Sequence, residues 1–436
     1  MIRSESIGVH ERSYRMNILM MSNTYLPFVG GIERSIHMFT ARLRRAGHRV
    51  VIVVPDSPDA PEEETDVIRM PAIQRFNGSD FSMELPIPGL LEAKLKDFRP
   101  DLVHSHHPYL IGDTALRVAS RFEVPVVFTF HSFFEHYTHY VPGDSQLLKR
   151  FVVALSTGYA NLCDQVIAPS ESVRDEIIHR GVVRPITVVP TGIDVSVFKT
   201  GDRDRFRNRE AIPRDAFVIG IISRIAPEKN IDFLANAVSV YLSRDARAHF
   251  LLVGQGPSVD DVKQIFEGRG VLARLHTLGT LQNKDLIDAY HALDLFVYSS
   301  LSETQGIVLV EAMAAGLPIV ALDAPGVREV VRDRVTGRLL PDGNMELFVN
   351  AIAEFARMPQ PDKEGFSHRA SDAVVQFTEE VTAAKLIDVY QVALKASSLQ
   401  LQTKDSPWHE AKRWFSKEWE LISNMAHATG AAVNPD

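Results

Sequence analysis

Glu303 and Glu311 bracket one apolar run. The stretch SETQGIVLVEAMAAGLPIVAL, residues 302–322, breaks at Gly316-Leu317-Pro318 and resumes as Ile319-Val320-Ala321-Leu322. A helix this apolar must be nearly buried, and buried carboxylates are costly unless something holds them. If the helix starts near Gly306, its free N–H groups and its dipole make an anion site at its beginning. Gly306 leaves room for an anion to approach the backbone there and at Ile307. Eight residues of helix span roughly 12 Å. One elongated ligand can then meet both acids, with hydroxyls at each end and a diphosphate between. A carboxylate accepts two hydrogen bonds side by side, which suits vicinal sugar hydroxyls. The plainer alternative makes Glu303 a solvated N-terminal acid and pairs Glu311 with a basic neighbour.

Three further stretches carry candidate chemistry. Ser223-Arg224-Ile225-Ala226-Pro227-Glu228-Lys229-Asn230 follows an apolar strand, so Arg224 and Lys229 stand at a strand's carboxyl end. A guanidinium fork and an ammonium point charge together suit a diphosphate; as a bland alternative, both are exposed loop cations. Gly30-Gly31 leads a helix and allows close backbone approach to a phosphate or sugar, although the full G-x-G-x-x-G is absent. Gly254-Gln255-Gly256-Pro257 gives a similar, weaker signal. Finally, His131 ends a buried strand and opens an aromatic segment, residues 131–140, that includes Glu135, Tyr137 and Tyr140. A histidine at a strand's carboxyl end in a cleft is a ligand candidate.

These residues need a scaffold that points strand ends at one another. Strand-like runs at 18–21, 49–54, 102–104, 124–131, 165–168 and 187–189 alternate with helical patterns. A second series runs 217–222, 247–253, 276–279, 293–298 and 319–322, closed by a helix over about 379–396. Strands alternating with helices predict parallel, doubly wound sheets. Two such domains, 16–195 and 216–396, would face each other across a cleft at the carboxyl ends of their strands. The polar stretch 196–215 reads as the linker, 1–15 as a disordered leader and 397–436 as a tail holding all three tryptophans.

At 436 residues there is chain enough for two or three cores. A formal charge of −8 argues against broad nucleic-acid binding. The single Cys163 excludes an internal disulfide framework and suits a reducing compartment. The apolar runs near 16–22, 124–130 and 306–322 are too short or too broken against the roughly 20 residues that a membrane-crossing helix needs. Residues 1–15 lack the apolar core of a secretory signal.

Together these features resemble the GT-B glycosyltransferases, specifically the large retaining family containing sucrose synthases, phosphatidylinositol mannosyltransferases and bacterial diacylglycerol glucosyltransferases. The resemblance spans about residues 16–396. It is carried by E-x7-E from Glu303 to Glu311 with Gly306 inside, by Ser223–Lys229, by Pro27-x2-Gly30-Gly31 and by Pro190-Thr191-Gly192-Ile193-Asp194, where Thr191 stands in place of a common Asn. It implies that Arg224 and Lys229 bind the donor diphosphate, that Glu311 holds the nucleotide ribose and that Glu303 and His131 hold the transferred sugar. Gly30, Gly31, Gly254, Gly306 and Ile307 would line the donor site. The reaction implied is α-retaining transfer with no cofactor. No metal is implied: Asp202-Arg203-Asp204 looks like a metal-binding D-x-D, but it lies in the expected linker and reads as a solvated charge run.

The segment HSFFEHYTHYVPG looks like the acceptor segment of diacylglycerol glucosyltransferases, through His131, Glu135, Tyr137 and Tyr140. The expected partners are UDP-glucose, a lipid acceptor and a membrane surface, with no nucleic acid. The expected location is cytoplasmic, peripheral at the inner membrane face. Residues 146–162 read either as an interfacial helix or as an ordinary sheet-covering one. In the tail, helical spacing puts Trp408, Ala411, Phe415, Trp419 and Ile422 on one face, which either meets a membrane or packs onto the protein. The alternatives are a GDP-mannose-dependent enzyme acting on a phosphoinositide-like lipid or a soluble sugar, a nucleotide-sugar epimerase, and a catalytically silent lipid-surface module.

Overall fold

Short runs rich in Val, Ile and Leu become strands buried on both faces, as parallel sheets require. The computed structural model describes residues 15–28, 30–73, 83–84, 90–136, 145–341, 343–401 and 407–433. The N-terminal half contains β1 (Asn17–Met21), β2 (Arg49–Pro55), β3 (Val67–Met70), a short antiparallel pair β4 (Ala72–Ile73) and β5 (Met83–Glu84), then β6 (Leu102–Ser105), β7 (Val126–Thr129), β8 (Gln165–Ala168) and β9 (Ile186–Val188). Without the short pair, these strands form one parallel sheet ordered β3-β2-β1-β6-β7-β8-β9. Its helices are α1 (Gly31–Arg45), α2 (Leu90–Lys94), α3 (Ile111–Phe122), α4 (Gln146–Leu162) and α5 (Glu171–His179).

The C-terminal half repeats the plan. α6 (Arg203–Arg209) precedes β10 (Phe217–Ile222), α7 (Ile231–Arg244), β11 (Ala248–Val253), α8 (Val259–Gly268), β12 (Leu275–Thr277), α9 (Asn283–Ala292), β13 (Leu295–Tyr298), α10 (Ile307–Ala314), β14 (Ile319–Leu322), β15 (Gly337–Leu340), α11 (Met345–Arg357) and α12 (Gln360–Ala373). The parallel sheet is ordered β12-β11-β10-β13-β14-β15. In each sheet the strand order reverses beside the first strand, between β1 and β6 and between β10 and β13. Ligands bind at such switch points, beyond the carboxyl ends of the strands.

Two boundaries drawn from the sequence move. The stretch 196–215 is folded onto the C-terminal half instead of running as a solvated linker. Asp202 caps α6 by accepting from Arg205 N–H at 2.9 Å. Arg207 is buried, donating to the Ala292 and Ala216 carbonyls and to Asp294. Arg205 reaches the buried Asp288 at 2.6 Å. The closing helix α13 (Glu379–Leu401) crosses back to the N-terminal half, where Leu386, Val389 and Tyr390 share a core with Ile18, Val50 and Ile52. The last helix, α14 (Pro407–Val433), covers α3 and α4. Most of the expected leader lies outside the described residues.

Candidate functional site

All four loops at the two switch points carry polar groups. The loop after β13 holds Glu303, and the loop after β10 holds Lys229. Lys229 Nζ donates to Glu303 Oε2 at 2.7 Å, and the Tyr298 hydroxyl donates to the same oxygen. Burial pushes the Glu303 carboxyl up, but the Lys229 ammonium, the Lys229 and Tyr298 hydrogen bonds and the Gly306 N–H outweigh it and hold the group below the usual range. Arg224 faces Glu228 at 3.7 Å on the same loop.

Gly306 precedes α10 in the left-handed region, φ 70°, and supplies no side-chain cap. A side chain there would be strained. The N-terminus of α10 beyond it, starting at Ile307, is therefore bare backbone. Glu311 lies in the second turn of α10 and is 1% exposed. The Tyr290 hydroxyl donates to its Oε2 at 2.7 Å, and Arg34 Nη2 donates to Oε1. Arg34 belongs to α1, so this ion pair joins the two halves across the cleft.

Other contacts tie the same loops together. Thr304 Oγ1 donates to the His131 carbonyl at 2.9 Å. Gln305 and Thr191 exchange two hydrogen bonds, both 2.7 Å, and Thr191 Oγ1 donates to Ser35. His131, beyond β7, thus abuts the loop that carries Glu303. Its ring Nε2 shares a 2.8 Å hydrogen bond with His106 Nδ1.

The remaining predicted residues have the following places. Gly30 leads α1, and an added Cβ would come within 2.6 Å of the Glu33 carboxylate; at Gly31 the same position is open. Glu33 is buried here, which pushes its carboxyl up. Gly254, at φ 130°, presses on the Ser223 carbonyl, where a Cβ would stand 1.8 Å away. That contact alone demands glycine. Glu135 pairs with Arg180 at 2.6 Å, and that guanidinium also covers the Phe133 ring. Tyr137 and Tyr140 lie outside the described residues. Among the described residues, no three His, Cys, Asp or Glu side chains gather as metal ligands. Sequence reading missed Arg34, Tyr290, Tyr298 and the buried histidines 104, 106 and 107. A histidine row at the end of β6 was the available signal for the last group.

Two doubly wound domains, with acids and bases drawn from facing switch points, define the GT-B architecture. Comparison with known proteins agrees. A family described as "Glycosyltransferase Family 4" matches residues 29–197, and "Glycosyl transferases group 1" matches 202–371. The alpha-monoglucosyldiacylglycerol synthase of Acholeplasma laidlawii is 27% identical over 89% of this chain and all of its own length. A GDP-mannose-dependent alpha-mannosyltransferase of Mycobacterium tuberculosis is 29% identical over 76% of this chain and 85% of its own. The structure of Anabaena HepE with UDP and glucose superposes with a TM-score of 0.69 at 21% identity, covering 87% of this chain and all of that one. The chain belongs to the GT-B glycosyltransferases and is a hexosyltransferase.

Proposed function

We propose that this enzyme transfers glucose from UDP-glucose to a lipid acceptor such as 1,2-diacylglycerol, with retention, at the cytoplasmic face of the membrane. The observation that carries the acceptor is near full-length similarity to two alpha-monoglucosyldiacylglycerol synthases, from Acholeplasma laidlawii and Streptococcus pneumoniae. The solved relative holding UDP and glucose supports the donor.

In this reading Glu311 exchanges Arg34 for the ribose hydroxyls, and Glu303 and His131 hold the sugar. Arg224, Lys229 and the α10 N-terminus stabilise the diphosphate as charge develops on it. The anomeric carbon's bond to the diphosphate oxygen breaks. A new bond to the acceptor oxygen forms on the same face, and the acceptor's proton passes to the departing phosphate. No resident cofactor takes part in this scheme.

A membrane surface is supported by α14. Leu421, Ala428 and Ala432 face inward, while Trp419 is 70%, Ile422 59% and Met425 47% exposed. Among the described residues, no helix is long and apolar enough to cross a membrane. A mannosyl donor is the second reading, favoured by the mycobacterial mannosyltransferases at 29% identity.

A donor-by-acceptor screen separates them. UDP-glucose and GDP-mannose are each offered with diacylglycerol vesicles, phosphatidylinositol vesicles and soluble sugars, and products are identified by mass and linkage. Glucosyl-diacylglycerol as the dominant product is expected. Equal transfer to soluble sugar in membrane-free reactions would remove the lipid acceptor, and mannosylated product would replace the donor.

A further inference from the structure

We propose that His106 is a positioning residue for the transfer: it fixes the ring and the tautomer of His131 so that His131 Nδ1 presents an N–H to the donor sugar. The proposal rests on the reading of His131 as a sugar contact.

The geometry comes from adjacent strand ends. His106 follows β6, His131 follows β7, and these strands are paired in the sheet. The two rings meet edge to edge and nearly coplanar, with centroids 5.1 Å apart, planes 24° apart, and His106 Nδ1 and His131 Nε2 2.8 Å from each other. His106 is buried, whereas His131 is partly open. One side of the His131 ring is thus tied to the interior. The Thr304 hydroxyl holds its backbone from the opposite domain.

Neutral rings can share this bond in two ways. Either His106 Nδ1–H donates, which leaves His106 Nε2 a bare lone pair and puts the His131 proton on Nδ1. Or His131 Nε2–H donates, which forces the His106 proton onto Nε2. His106 Nε2 is buried and, among the described residues, has no partner. An orphaned buried N–H is rarer than an under-satisfied acceptor, so the first arrangement prevails.

The neighbouring rings cannot rescue the second. His104 lies 4.1 Å from His106 between centroids, but its nitrogens are engaged with the Tyr390 hydroxyl and Thr129 Oγ1, both at 2.7 Å. His107 uses Nδ1 to accept from Asn23 N–H at 3.1 Å. The same packing favours the neutral rings. Burial pushes His104 and His107 down to about 3 and, helped by the neighbouring imidazoles, lowers His106 and His131 well below their usual value. His131 therefore offers a neutral N–H, suited to a sugar hydroxyl, rather than a second positive charge at the diphosphate.

The test compares H106F, H106N and H131A, plus the double variant H106F/H131A, in the full chain. Thermal melting confirms folding, and long-range ¹⁵N–¹H spectra of histidine-labelled protein report tautomers. In the wild type the His131 resonance, assigned by its loss in H131A, should show the Nδ1–H form. In H106F it should move toward the Nε2–H form, and kcat/KM should fall about tenfold, the scale of one lost hydrogen bond. H106N keeps a donor near the Nδ1 position and should recover most of the loss. Because His106 acts through His131, H106F should cost nothing further in the H131A background. An unchanged His131 tautomer in H106F, or fully additive losses in the double variant, would overturn the proposal. Full activity in H131A with a shifted tautomer in H106F would instead remove the sugar-contact reading of His131 and leave the positioning intact.

Discussion

Arg34 and Glu311 lie 277 residues apart in the chain and form an ion pair across the cleft. Glu311 is buried, whereas the Arg34 side chain is partly exposed. In the proposed reaction the same carboxylate receives the ribose, so the guanidinium must yield to the nucleotide. Arg34→Gln should therefore bind UDP more tightly. A pair with one exposed partner is worth up to about 1 kcal/mol, which corresponds to a gain of up to about fivefold. Calorimetric titration with UDP reads this directly. Weaker binding would show that Arg34 holds the nucleotide rather than competing with it.

Glu303 gives a pH-dependent prediction. Lys229 and Tyr298 hold its carboxyl below the usual value of 4.5. A depressed folded value means that the ionised pair stabilises the protein above pH 4.5, and that this is lost as pH falls through the lower, folded value. Glu303→Gln should thus melt earlier than the wild type near pH 7, with the gap closing only below pH 4.5. Its kcat should fall by about two orders of magnitude, as for other removed transition-state contacts. A melting gap that closes above pH 5 would mean that Lys229 is not the dominant partner.

Asp113, on α3 near the α14 contact, behaves in the opposite sense. Burial raises its carboxyl from 3.8 to about 6, against the pull of Arg117 and with a push from Glu418. A raised folded value makes the ionised form a cost at high pH, and the cost is relieved as pH falls from above 6 toward 3.8. Asp113→Asn should therefore be more stable than the wild type at pH 8, by up to about 3 kcal/mol. The difference should vanish near pH 4. Urea unfolding at both pH values measures it.

Much of this architecture was readable because strands buried on both faces must be continuously apolar, as Val50–Val54 and Phe217–Ile222 are. Interactions between distant residues were not readable. Residues 202–209 look like a solvated charge run until Asp285, Asp288 and Asp294 from the same half fold against them. Nothing local marks Arg34, because its partner is 277 residues away in the chain. The E-x7-E spacing marked Glu303 and Glu311, but no local pattern marked Tyr290 and Tyr298, which donate to them. The histidine row just beyond β6 could have marked His106 as a candidate, but not its bond to His131 on the neighbouring strand's end.

The tail shows the same limit, and it yields the last prediction. Helical spacing identified an apolar face containing Trp419 and Ile422, but a sequence cannot say whether such a face packs inward. In the structure the inward face is instead Leu421, Asn424, Ala428 and Ala432, with Asn424 donating to the Leu155 carbonyl on α4 at 3.2 Å. Glu418 anchors the helix through Arg117 on α3 at 2.6 Å. α4 is thereby covered along part of its length, and the outward stripe falls to α14. Tryptophan beside aliphatic side chains favours the membrane interface. The double variant Trp419→Ser/Ile422→Ser touches none of the packed face, so its melting temperature should stay within about 2 °C of the wild type, as for ordinary surface changes. Its partition onto diacylglycerol-containing vesicles should fall about tenfold or more, since two exposed apolar side chains lose their burial. Transfer to detergent-dispersed acceptor should be unchanged, because the stripe belongs to α14, which packs on α3 and α4, whereas Glu303 sits on the loop after β13. Co-sedimentation and a parallel assay in micelles measure both quantities. Undiminished vesicle binding would move the membrane contact elsewhere on the N-terminal half.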